Sequence, residues 1–65
     1  MNKEAKRAYD DTKMVLGSIK QHKEILEKRS KQFQNNYYDR VLGSIDNFIE
    51  ALEGDLEIIK EDGQE

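Results

Sequence analysis

At 65 residues the chain has room for a single domain with a thin core, because a chain this short buries only about 60% of the surface its unfolded form exposes. It contains no Cys, which excludes disulfides and thiolate metal sites as added support and leaves self-association as the expected route to stability. Charged residues make up 38% of the chain, yet the net charge is only −3 and the apolar residues recur with helical period, so long amphipathic helices are expected rather than a disordered polyelectrolyte.

The first predicted helix covers residues 3–34. Its apolar seam is Ala8, Thr12, Val15, Ile19, His22, Leu26, Arg29 and Phe33, with Leu16 and Ile25 on its flanks. The turn is placed at 35–36, since Asn tolerates the left-handed conformation at a helix end and also caps the next helix. Asn36 followed three residues later by Asp39 approaches a capping box. The second predicted helix covers 37–62 and carries a regular heptad seam of Tyr38, Leu42, Ile45, Ile49, Leu52, Leu56 and Ile59. Gly63 is a natural stop, and 63–65 is expected to fray.

Reversing the chain at 35–36 brings the two seams into register. Phe33 meets Tyr38, Leu26 meets Ile45, His22 meets Ile49 and Val15 meets Leu56. Turn chemistry and heptad phase agree independently, which predicts an all-α fold: one domain over 1–65, built as an antiparallel two-helix hairpin. A second apolar stripe on the second helix, Val41, Phe48 and Ile58, has no cover in a lone hairpin. Burying each such side chain is worth about 1.5–3 kcal/mol, so a homodimer forming a four-helix bundle is expected, with Val41, Phe48, Ile58, Leu16 and Ile25 at its interface.

Val15-Leu16-Gly17-Ser18-Ile19 recurs as Val41-Leu42-Gly43-Ser44-Ile45, and Glu24, Leu26 and Glu27 recur at the same offset as Glu50, Leu52 and Glu53. Duplication of one helix is one origin of such a repeat. It raises a rival hairpin turning near Ser30, with Gly17 opposite Gly43. Each interior Gly costs a helix about 1 kcal/mol, so Gly17, Gly43 and Gly54 are either tolerated or mark a close helix approach.

Charge is divided between the helices. Residues 1–33 hold nine Lys or Arg against five Asp or Glu, and residues 34–65 hold two against nine. Pairing of a basic helix with an acidic one, within the hairpin or across a dimer, is the simplest reading. Arg29 is expected to reach Asp39 or Asp46.

Catalytic chemistry is not expected. Nucleophilic catalysis needs a nucleophile, a base and an orienting group, and His22 is the only His. No Glu is followed three residues later by His, so Glu50, Glu53, Glu57 and Glu61 read as a solvated acidic face rather than a metal-ligand set. No cofactor is expected. On the seam, His22 reads as a partly buried spacer; the alternative is a pH-sensitive position whose protonation would loosen the core in acid. Phe33, Tyr37 and Tyr38 gather at the turn with Arg29 and Arg40, a composition typical of binding hot spots.

The expected function is that of a small non-enzymatic regulatory or inhibitory protein, of the type bacteria and phages carry, acting by helix-surface contact with a protein partner whose identity the residues do not give. One alternative is a dimeric bundle binding nucleic acid through Lys6, Lys13, Lys20, Lys23 and Lys31, disfavoured by the net acidic charge. Another is an oligomer that sequesters a small anionic ligand. No apolar run reaches the roughly 18 residues of a membrane span, and residues 1–7 are followed by no signal-type apolar stretch, so a cytoplasmic protein without membrane contact is expected.

Overall fold

The computed structural model describes residues 2–33 and 36–63. Two helices, α1 (Lys3–Phe33, 31 residues) and α2 (Asn36–Asp62, 27 residues), pack against each other as an antiparallel hairpin. Its extents are 49 × 15 × 10 Å. The long dimension is that of α1 alone, since a helix rises 1.5 Å per residue. The hairpin is therefore one layer of secondary structure, where stable domains stack at least two.

α1 begins at Lys3 and α2 ends at Asp62, while residue 34, the expected end of the first helix, and residues 64–65 of the expected tail lie outside the described residues. Asn36, expected in the turn, is the first residue of α2, while Asn35 lies outside the described residues. α1 runs unbroken through Ser30, so the rival hairpin is excluded. Gly63, expected to fray, is instead buried: its N–H donates to the Ile59 carbonyl at 2.9 Å, and its carbonyl accepts the N–H of Asn2 at 3.1 Å. Asn2 caps α1 as well, accepting the Ala5 N–H on its side-chain oxygen at 2.8 Å and the Lys6 N–H on its carbonyl at 2.9 Å. Asn2 thus accepts the first intrahelical bond of α1 on its carbonyl, satisfies the orphan Ala5 N–H with its side chain, and gives its own N–H to an orphan acceptor at the end of α2.

The α2 seam is as expected: Tyr38, Leu42, Ile45, Leu52, Leu56 and Ile59 are half-buried and Ile49 is buried. The α1 seam is different. The inward residues are Ala5, Tyr9, Thr12, Leu16, Ile19, Lys23, Leu26 and Ser30, again at spacings of four and three. Val15, His22, Arg29 and Phe33, expected inward, are exposed, as is Ala8. Two heptad seams share Thr12, Ile19 and Leu26, and the helix uses the one that buries the larger Leu16 in place of Val15. That choice also places its polar members well. Lys23 Nζ pairs with Asp46 at 2.5 Å, and Ser30 Oγ donates to Asp39 at 2.7 Å. These two contacts occupy the carboxylates expected to hold Arg29.

Among the described residues only Leu16 and Ile49 have apolar side chains less than a tenth exposed. At Gly17, Gly43 and Gly54 an added Cβ would meet nothing within 4 Å, so these glycines do not mediate close approach within the hairpin.

Candidate functional site

The sequence repeat explains the most conspicuous surface feature. Ser18, Ile19 and His22 of α1 are the repeat equivalents of Ser44, Ile45 and Phe48 of α2. The two triplets, with Lys23, Leu26 and Val41, line one open groove of about 530 Å³ between the helices. In an antiparallel hairpin, equivalent positions on both helices come to the same broad face, which therefore has an approximate two-fold axis of its own. The groove is almost wholly apolar. His22 Nδ1 donates to the Ser18 carbonyl at 2.7 Å, and Ser44 Oγ donates to the Arg40 carbonyl at 3.4 Å. His22 and Ser44 are thereby turned back onto their own helices, while Lys23 pairs across the hairpin with Asp46.

The apolar surface extends beyond the groove along two further heptad stripes. On α1 the stripe is Asp11, Val15, Ser18, His22, Ile25 and Arg29. On α2 it is Tyr37, Val41, Ser44, Phe48, Ala51, Asp55 and Ile58. Every one of these residues is exposed. Val15, Ile25, Val41, Phe48 and Ile58 are 46–56% exposed despite their size. Large apolar side chains gathered on one face mark an interaction surface in a way that scattered ones do not.

Of the residues expected at an interface, Val41, Phe48, Ile58 and Ile25 lie on this open face. Leu16 does not: it is 7% exposed inside the hairpin, a direct consequence of the shifted α1 seam. The expected aromatic patch at the turn divides. Phe33 and Tyr38 stack with ring centroids 6.3 Å apart and planes 21° apart, and Tyr38 is half-buried. Tyr37, Arg29 and Arg40 are exposed. Ile25, Arg29 and Phe33 line a common recess, so the turn-end patch and the apolar stripe form one continuous surface.

The opposite broad face is charged. Lys6, Lys13 and Lys20 share a stripe of seven-residue spacing on α1, and Asp39, Asp46 and Glu53 do so on α2. Lys13 Nζ lies 5.6 Å from the centre of the Tyr9 ring, and the Lys23 ammonium is held above its ordinary pKa chiefly by its hydrogen bond to Asp46. Lysines interleaved with the chain's own carboxylates make a poor continuous track for phosphates. No group of three or more His, Cys, Asp or Glu is arranged to hold a metal ion among the described residues, and no helix there is long and apolar enough to cross a membrane.

No protein-family model, curated protein or solved structure matches this chain. Its functional reading rests on the geometry alone.

Proposed function

We propose that this chain is a small, non-enzymatic, cytoplasmic protein of regulatory or inhibitory type that acts through protein–protein contact made by the open face of the hairpin. The observation that carries the reading is the gathering of Val15, Ile25, Val41, Phe48 and Ile58, each about half exposed, on one face around an apolar groove. Helix-in-groove recognition uses this chemistry: apolar anchors at helical spacing enter a trough between two helices, and polar groups line the rim. Arg29, Tyr37 and Arg40 supply hot-spot residue types at one end.

The groove suits an apolar side chain better than an anion, because its lysine is engaged with Asp46. Sequestration of a small anionic ligand is therefore the weaker reading. Nucleic-acid binding would have to use the opposite face, where carboxylates run beside the lysines.

The experiment is site-specific photo-crosslinking in cells of the source. A benzophenone amino acid at position 48 is expected to form a protein adduct, and one at position 50, which the helical period places away from the open face, is not. Absence of adducts at 48, or equal adducts at both positions, would overturn the reading.

A further inference from the structure

The open face is complementary to itself, and we infer that its occupant is a second copy of this chain, docked face to face with the two turns at opposite ends. This inference rests on the reading of the open face as a protein-contact surface and adds the identity and orientation of the partner.

Area is the first argument. The chain exposes 5424 Å². A compact monomer of 7.6 kDa would expose about 4,300 Å². The excess of about 1,100 Å² is larger than the roughly 800 Å² that each partner buries in a standard stable interface, so a second copy can be accommodated. A second layer of two helices would supply the missing half of the core.

Charge is the second argument, and it selects the orientation. Along the open face of α1, Asp11 lies toward the open end of the hairpin and Arg29 toward the turn, with Val15, Ser18, His22 and Ile25 between them. On α2, Asp55 lies on the stripe toward the open end, and Arg40, next to Val41 on the stripe's outer edge, lies toward the turn. The α1 stripe, and the α2 stripe taken with Arg40 at its outer edge, thus carry opposite charges at nearly equal distances from their middles. The midpoint of the α1 pair falls at residue 20 and that of the α2 pair between residues 47 and 48. These positions lie level with each other beside the Lys23–Asp46 bridge. A single two-fold axis across the hairpin at that level sets Arg29 against the partner copy's Asp11, and Arg40 against its Asp55, on both sides of the interface. The same operation brings Val15 to Ile25 and Phe48 close to its own symmetry mate. The other stacking, with both turns at one end, collects Arg29 and Arg40 of both copies together and opposes like charges.

The test uses the intact chain. Sedimentation equilibrium is expected to give a dimer for the wild type and a monomer of unchanged helix content for Phe48→Glu. A nitroxide on Gln32→Cys, near the turn, reads the orientation without altering the apolar contacts. Turns at opposite ends put the two labels on the order of 35 Å apart, from twelve residues of helical rise on either side of the axis. Turns together bring the labels much closer. Asp11→Arg and Arg29→Asp are each expected to weaken dimerisation several-fold, and an equimolar mixture is expected to form the heterodimer preferentially, because it alone restores both opposite-charge pairs.

A short label distance, or no heterodimer preference, would overturn the orientation. A wild type that stays monomeric at several hundred micromolar would overturn the second copy as occupant while leaving the face open to a different protein. A dimer that survives Phe48→Glu would overturn both the inference and the reading beneath it. Should Phe48→Glu fail to fold, the label distance and the charge-swap mixture decide.

Discussion

The amide of Asn2 donates to the carbonyl oxygen of Gly63, 3.1 Å away, and joins the start of α1 to the end of α2. The link closes the hairpin at the end opposite its turn. It also sets the positive end of one helix dipole beside the negative end of the other. Asn2→Ala leaves the backbone link but removes the side-chain cap on the Ala5 N–H, and is expected to cost about 1 kcal/mol. Asn2→Asp should retain the cap. Urea unfolding of the three proteins measures the difference, and an Asn2→Ala midpoint equal to the wild type would show that the cap contributes nothing.

The core distinguishes two adjacent residues of the repeat. Leu16 is 7% exposed and Val15 is 51% exposed. Leu16→Ala is expected to destabilise the fold by about 2 kcal/mol, the lower end for a buried leucine because the site borders solvent. Val15→Ala should leave the stability of a dilute monomer nearly unchanged and act on association. If the two substitutions cost dilute monomer the same, the seam of α1 has been placed on the wrong face.

The glycines offer a gain. With nothing within 4 Å of an added Cβ, Gly43→Ala and Gly54→Ala are each expected to stabilise their helix by up to about 1 kcal/mol. Neither glycine lies on the open face, so the oligomeric state should not change. Dissociation of the protein by either substitution would reveal an interface packed through glycine instead.

The Lys23–Asp46 pair gives a pH dependence with a definite sign. The hydrogen bond to Asp46 and the charges of Asp46 and Glu27 outweigh desolvation and hold the Lys23 pKa above its ordinary 10.5. A pKa higher in the folded than in the unfolded state stabilises the fold below 10.5, and that contribution is lost as pH rises through the folded value. The pair is partly solvated, so the effect is small and should weaken with salt. Lys23→Met is expected to remove this part of the alkaline loss. Urea midpoints of wild type and variant between about pH 9 and pH 12 make the comparison, and parallel curves would count against the bridge.

The fold was legible where the sequence offered one solution. α2 has one regular heptad seam, from Tyr38 to Ile59, and every member is half-buried or buried. α1 was ambiguous because its residues support two heptad seams that share Thr12, Ile19 and Leu26. Each seam holds five apolar side chains, so counting them does not choose between the two. The tertiary structure favours Leu16, with Lys23 and Ser30 finding acidic partners on α2, a choice that no property of α1 alone encodes. The same ambiguity hid half of the candidate site. Val41, Phe48 and Ile58 are surplus to a two-helix seam, whereas a seam drawn through Val15, His22 and Arg29 places these three in the core and conceals them as the matching stripe. The repeat held the missing signal. Its serines, and His22 against Phe48, occupy equivalent positions, so both helices were bound to present the same triplet to one face once the hairpin was antiparallel.

Sedimentation equilibrium of the unmodified chain, from a few micromolar to several hundred, tests most directly whether the exposed side of this one-layer hairpin exists to be covered. Reversible association to twice the chain mass, weakened by the Phe48→Glu substitution, is the predicted result. A single species of one chain mass across the whole range, with Phe48 still exposed and no crosslinked adduct at position 48 in cells, would contradict the account.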